Sequence, residues 1–259
     1  MFNAGIAFAV LFSLFLLLSL SVAAGRNYGK EQLAKHDKKQ LEVVIVAEGA
    51  VFTLLALLVA FAFSGAYERF ENRKVHILEE ANFIDTAYKR IDLLAPATQP
   101  EIRQSFREYV DAHLAIYKAA ASFKLFRKDY FNARDIEDKL WTQTIAALKV
   151  TNDSSATQLF IPAVNNMFET ENTGLEMTRV HPPLAIFGLL IGLAILSGFL
   201  AGYSTADSES RISLHILCYV AITAFTIYVI IDLEFPRVGL IRVDNFDEIL
   251  ILVRDHMHE

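Results

Sequence analysis

Ionisable side chains placed where water is scarce are the first candidates for chemistry, and Glu48 is one of them. It is the only charge in the apolar run from Val43 to Ala66. A carboxylate in hydrocarbon is costly, so by default it marks an ion or proton pathway; a ring of Glu48 would favour cations or bind protons. The plainer reading, which the cost favours, puts Glu48 at interface depth, reaching water or Lys38 and Lys39. The same run carries a stripe of small residues, Gly49, Thr53, Ala56, Ala60 and Ser64, with Phe52 and Phe63 beside it. On one helix such a stripe is a packing seam; repeated around a symmetry axis it is a pore wall with Glu48 at its mouth.

Three further groups stand out. His215, Tyr219, Thr223 and Thr226 recur at helical spacing in an otherwise apolar run. They would line a water path with His215 as a pH-sensitive element, or bond between helices, which is the favoured reading. Gly188, Gly192, Gly198 and Gly202 form two small-xxx-small pairs, which let helix backbones approach closely in lipid. Asp244, Asp247 and Glu248 follow the last apolar run. Their plainer reading is a helix start, with Asn245 as cap, Glu248 closing a capping box and Ile249 to Val253 packing on a neighbour.

Enzyme signatures are missing: there is no glycine-rich phosphate loop, no HExxH and no Gly-x-Ser-x-Gly. Glu79 and Glu80 are adjacent on a helix and cannot share a face as a catalytic pair; solvent or subunit contacts with Arg73, Lys74 or Arg90 are expected of them. The net charge of −6 argues against nucleic acid, which needs a basic surface. Cys218 is the only cysteine, so there is no intramolecular disulfide.

The elements that must position these residues are set by how charge is segregated. The chain of 259 residues is 54% hydrophobic and still 21% charged, with a mean hydropathy of +0.34. About 20 helical residues cross a hydrocarbon core of about 30 Å. Four runs are long enough: residues 3–24, 43–66, 183–205 and 212–231. A retained first helix is favoured over a cleaved signal peptide, because no cation precedes it and it exceeds an h-region. The expectation is an all-α membrane protein. One transmembrane pair lies in 1–66, an extramembrane helical domain in 67–181, a second pair in 182–231 and an amphipathic segment in 232–259.

No breaker other than Gly65 separates the second span from Tyr67–Leu94, where Phe70, Ile77, Ala81, Ile84, Tyr88 and Ile91 share one face. Helix two is therefore expected to run straight out of the membrane until Ala95-Pro96. A capping box of Thr98 and Glu101 should start the next helix, with Ile102, Phe106, Tyr109, Val110, Leu114 and Tyr117 facing inward. A further helix is expected over 131–150, and another that is interrupted or starts near Pro162. Cations near the span ends balance: Arg26, Lys30, Lys35, Lys38, Lys39 and Arg211 on the loop side, and Arg69, Arg73, Lys74, Arg179, Arg237 and Arg242 on the domain side. Orientation is not decided by charge.

The run from Glu79 to Leu94, following a span that ends Ala60-Phe61-Ala62-Phe63-Ser64-Gly65, and then Arg107-Glu108-Tyr109-Val110-Asp111, resembles the bestrophin-like family of prokaryotic membrane proteins. The resemblance is clearest over residues 48–111. True bestrophins are pentameric anion channels with four spans and a cytosolic helical domain between spans two and three. The resemblance thus implies a homo-oligomeric channel for inorganic ions, lined by the second helix, in a prokaryotic plasma (inner) membrane. It also implies that Asp244, Asp247 and Glu248 echo a calcium-binding acidic cluster; no other cofactor is expected. The chain departs from bestrophins in lacking the Asn-Pro followed by aromatics on helix two, and a ring of carboxylates sits badly with an anion pore. The alternative is a non-conducting scaffold or sensor whose helical domain docks a partner protein.

Overall fold

The computed structural model describes residues 4–35, 39–119, 123–177, 180–207, 214–236 and 239–257; within these, nothing is said of the side chains of 4, 35, 39–46, 123–126, 175–176 and 244–246. The helices are α1 (Ala4–Lys35), α2 (Lys39–Lys89), α3 (Gln99–Ala119), α4 (Phe123–Thr151), α5 (Ser154–Met177), α6 (Leu184–Ser204), α7 (Leu214–Glu234) and α8 (Asp244–His256). No strand occurs among the described residues. Among the described residues, four helices are long and apolar enough to cross a membrane: α1, α2, α6 and α7. The chain divides into two compact units, residues 1–70 with 181–241, and 71–180 with 242–259; α2 contributes to both.

In the first unit, α1 packs along α6 and also meets α7. Glycine makes the α1–α6 contact possible. A Cβ at Gly25 would lie 1.9 Å from Phe199 O, and one at Gly202 would lie 2.0 Å from Val22 O, so the two backbones touch. Ser21 Oγ donates to Ile195 O at 2.6 Å across this seam. The Tyr28 ring closes it beyond, 6.1 Å from both Phe199 and Tyr203. α1 therefore runs past the expected residue 24 to Lys35: its polar end is held helical by the same contact, Gly29 meeting Ala206 and Tyr203. Between α1 and α7, Phe8, Leu11, Phe12, Phe15, Ala221, Ala224 and Phe225 line an open apolar groove of about 490 Å³.

In the second unit, α2 presents the expected face: Ile77, Ala81, Ile84, Tyr88 and Ile91 are all buried. The helix ends in a 3-10 turn, Arg90–Leu93, with Leu94 extended ahead of Ala95-Pro96. In α3 the expected inward line, Ile102, Phe106, Tyr109, Val110, Leu114 and Tyr117, is buried throughout.

Local details differ from the sequence reading where another partner wins. Thr98 Oγ1 donates to Ala95 O instead of capping α3, and Glu101 accepts from Gln143 Nε2 of α4. The α4 helix starts at Phe123, not 131, and ends at Thr151; Asn152, just beyond, adopts the left-handed conformation (φ 48°) that closes a helix, its N–H bonding Leu148 O. Asp153 then caps α5, accepting from Ser155 N at 2.7 Å. Pro162 lies inside α5 instead of starting it. The interior cost of a proline, about 3 kcal/mol, is offset because Phe160 and Val164 on either side are fully buried. The α8 helix starts at Asp244 with Val243, which makes no side-chain cap, at its N-cap, two residues ahead of the expected Asn245 cap. Of its expected packing residues only Leu250 is buried, whereas Ile251 and Leu252 are exposed.

Candidate functional site

The membrane part of α2 is the least covered of the four spans. Thr53, Ala56, Ala60, Phe63 and Ser64 are exposed within the chain, and Glu48 and Phe52 are half-buried. Glu48 accepts from Ser204 Oγ, at the end of α6, at 3.2 Å. Any pairing of Glu48 with Lys38 or Lys39 lies outside the described side chains. One turn along, the Phe52 ring lies 5.4 Å from that of Tyr219 on α7. Thr53 Oγ1 donates to Gly49 O within its own helix.

The α7 stripe divides by partner. Tyr219 shares a 2.5 Å hydrogen bond with Ser197 of α6, and Thr226 bonds back to Ile222 O. Thr223 is half-buried and His215 exposed. Among the α6 glycines, Gly198 and Gly202 face α1, whereas a Cβ at Gly188 or Gly192 would meet nothing within 4 Å. Gly25 and Gly29 of α1, not singled out in the sequence, complete the seam; their own Gly-xxx-Gly spacing was the available signal.

After α7 the chain builds a tight polar corner. Glu234 is fully buried and takes Arg69 of α2 on one oxygen, through Nε at 2.8 Å and through the terminal nitrogen. His181 Nδ1 stands 3.7 Å from its other oxygen, with the His181 ring 4.6 Å from that of Phe235. Asp232, also buried, accepts from Tyr228 OH at 3.0 Å, Leu240 N at 3.0 Å and Ile241 N at 2.7 Å. A Cβ at Gly239 would fall 1.5 Å from Asp232 Oδ1, so a larger residue there would push the carboxylate off these donors. Of the acidic residues beyond, Asp247 is half-buried and Glu248 exposed; the side chain of Asp244 is outside the described residues. Among the described residues no three His, Cys, Asp or Glu side chains are grouped to hold a metal.

The Arg107–Asp111 motif organises the helical domain. Arg107 donates to Met257 O at 2.7 Å, a carbonyl that Tyr88 OH also reaches at 2.9 Å. Asp111 takes Arg254 through two nitrogens, both at 2.8 Å, so both ends of the motif anchor α8. Between them Tyr109 and Val110 are wholly buried. Glu108 accepts from Lys139 of α4 at 2.8 Å, a bond that, with one from Gln104, holds its carboxyl below the usual range. Glu80 is not at solvent or a subunit contact: it is 2% exposed and accepts from Tyr117 OH at 2.5 Å. Its neighbour Glu79 pairs with His76.

A family model described as the bestrophin-like domain matches residues 7–245. The chain belongs to the bestrophin-like family. Solved structures share its fold. A tryptophan-to-alanine variant of a bacterial bestrophin homologue from Klebsiella pneumoniae superposes with a TM-score of 0.71 at 13% identity, covering 97% of this chain and 96% of that one. A tyrosine-to-alanine variant gives 0.68 at 14% identity, covering 95% and 97%. A zinc-phased structure of the homologue gives 0.62 at 12%, covering 96% of each chain. A search of curated proteins finds no match. Such low identity carries the fold and not the residues. This bestrophin-like chain therefore has the family's four apolar spans and helical domain, while its Glu48 and α2 face must be judged by their own geometry.

Proposed function

We propose that this chain is the subunit of a homo-oligomeric ion channel of a prokaryotic plasma membrane, with the membrane part of α2 lining the pathway. The observation that carries the proposal is the poor coverage of α2. Only 11% of its most apolar stretch is buried within the chain, against 22% for α1 and 33% for α6 and α7. Yet α2 bears the carboxylate and the small polar face. A helix with Thr53 and Ser64 outward and a carboxylate at one end is better matched to a watery axis shared with other copies than to lipid. Phe52 against Tyr219, and Glu48 against Ser204, would fix the register of that face on α6 and α7.

A ring of Glu48 concentrates cations at one mouth, so cation preference is expected. The test pairs subunit counting in nanodiscs with bilayer recordings of wild type and Glu48→Gln. A ring of four or more subunits, with the substitution lowering cation preference, is the expected result. A monomer or dimer, or an unchanged current–voltage relation, overturns the pore assignment; a monomer would turn attention to a scaffold whose helical domain docks a partner.

A further inference from the structure

The helical domain holds a buried group of titratable side chains that the ion pathway does not use. His113 of α3 and Glu171 of α5 are 1% and 2% exposed, with Nδ1 and Oε1 3.2 Å apart. The other Glu171 oxygen, both His113 nitrogens and Tyr109 OH make no hydrogen bond. The Tyr109 ring lies tilted against the His113 ring, 4.2 Å away, and against Phe168 of α5, 5.7 Å away, covering the pair from one side.

Every element packed here brings charge or a titratable group. From α2 come Glu80, bonded to Tyr117 of α3, and His76, paired with Glu79 and set against Gly174. Farther along α2, Arg73 reaches Val180 O. From α4 comes Arg134, held by Glu137 and Asn172 at 2.5 Å each and by Tyr130 OH at 3.3 Å. Arg134 is thus engaged by its own partners, and two further carboxylates, Glu80 and Glu137, face Glu171. Burial, with repulsion from Glu137 and Glu80, pushes Glu171 up to about 8 against the opposing pull of Arg134. Burial, with Arg134 adding, pushes His113 down to about 3.

We propose that the His113–Glu171 pair is a proton-operated switch: while it holds one proton it is neutral and α5 stays packed on α3, and loss of that proton leaves a buried charge that loosens α5. With Glu171 protonated, its Oε1 lies 3.2 Å from the neutral His113 ring and the pair carries no charge. Deprotonation leaves an ionised carboxylate in the interior facing Glu80 and Glu137.

The direction with pH follows from counting protons. Above pH 6.5 the unfolded pair holds none and the folded pair one, so stability falls tenfold per pH unit until about pH 8. Between the ordinary glutamate value of 4.5 and the ordinary histidine value of 6.5, both states hold one proton and stability is flat. Below 4.5 the unfolded state holds two and stability falls again.

Amide hydrogen exchange of the full chain in nanodiscs, from pH 6 to 9, tests this on wild type and Glu171→Gln. The expected result is α5 protection, corrected for intrinsic rate, that drops about tenfold per pH unit from pH 6.5 to 8 in wild type and not in the variant. Equal slopes in the two proteins, or a flat wild type, overturn the switch. Should Glu171→Gln fail to fold, Glu80→Gln carries the test. Removing one repelling carboxylate must move the midpoint to lower pH, and an unmoved midpoint rejects the assignment.

Discussion

Replacing Gly202 by alanine tests the α1–α6 seam with a single methyl group. The new Cβ would lie 2.0 Å from Val22 O and 3.0 Å from Arg26 N, both backbone atoms that cannot rotate away. Recovering an ordinary contact of 3.4 Å requires the helices to separate by about 1.4 Å, the difference between those distances. That movement takes the Ser21–Ile195 bond from 2.6 Å out of range, a loss of about 1 kcal/mol. Overpacking adds about 1–3 kcal/mol. The expected loss is about 2–4 kcal/mol, less about 0.5–1 kcal/mol recovered from alanine's better helix propensity. Two neighbours supply the scale. Gly198 would place its Cβ 3.5 Å from Leu18 O, and Gly188 would meet nothing, so Gly198→Ala should be mild and Gly188→Ala within about 0.5 kcal/mol of wild type. Unfolding of the full chain in mixed micelles by added SDS measures all three. If Gly202→Ala unfolds with Gly188→Ala, the backbones are not in contact and the seam is wrong.

Two further substitutions probe the polar anchors. Arg69→Ala strands the fully buried Glu234, whose loss of a partner would cost about 3–5 kcal/mol if both were buried; with Arg69 itself 31% exposed, about 2 kcal/mol is expected. Adding Glu234→Gln should recover part of it in the same SDS titration, and no recovery would mean that Arg69 acts by packing alone. Arg254→Ala removes a bidentate pair whose Asp111 side is 54% exposed, so global stability should drop by less than about 1 kcal/mol. Hydrogen exchange in α8 should rise clearly, while Tyr88 and Arg107 still hold Met257 O. Unchanged exchange in α8 would show that the motif does not anchor it.

The spans and the length of α2 were legible because each depends on local composition. Nothing between Val43 and Leu94 breaks a helix, and Phe70 to Ile91 keep one apolar face. The inward face of α3 was legible for the same reason. Caps were less so: Thr98 and Asn245 have capping chemistry, but Thr98 found Ala95 O first, and the backbone at Val243 had already turned into α8. Pro162 reads as a break only if its neighbours are ignored. The pairing of α1 with α6 joins distant segments, so glycine spacing could say that a close contact exists without saying with what. The His113–Glu171 pair was invisible for a further reason. Its members come from separate helices, and neither lies in a motif; only their shared burial makes them a unit.

The α1–α6 seam also sets a timetable for making the protein. Ser21 and Ile195 are 174 residues apart, and at about 5–20 residues per second the ribosome needs about 9–35 seconds between them. Throughout that interval α1 sits in the bilayer with the face of Leu18 and Ser21 open to lipid and its final partner not yet translated. Assembly of the first unit must therefore be post-insertional, and the newborn α1 is the segment a membrane chaperone would have to shield.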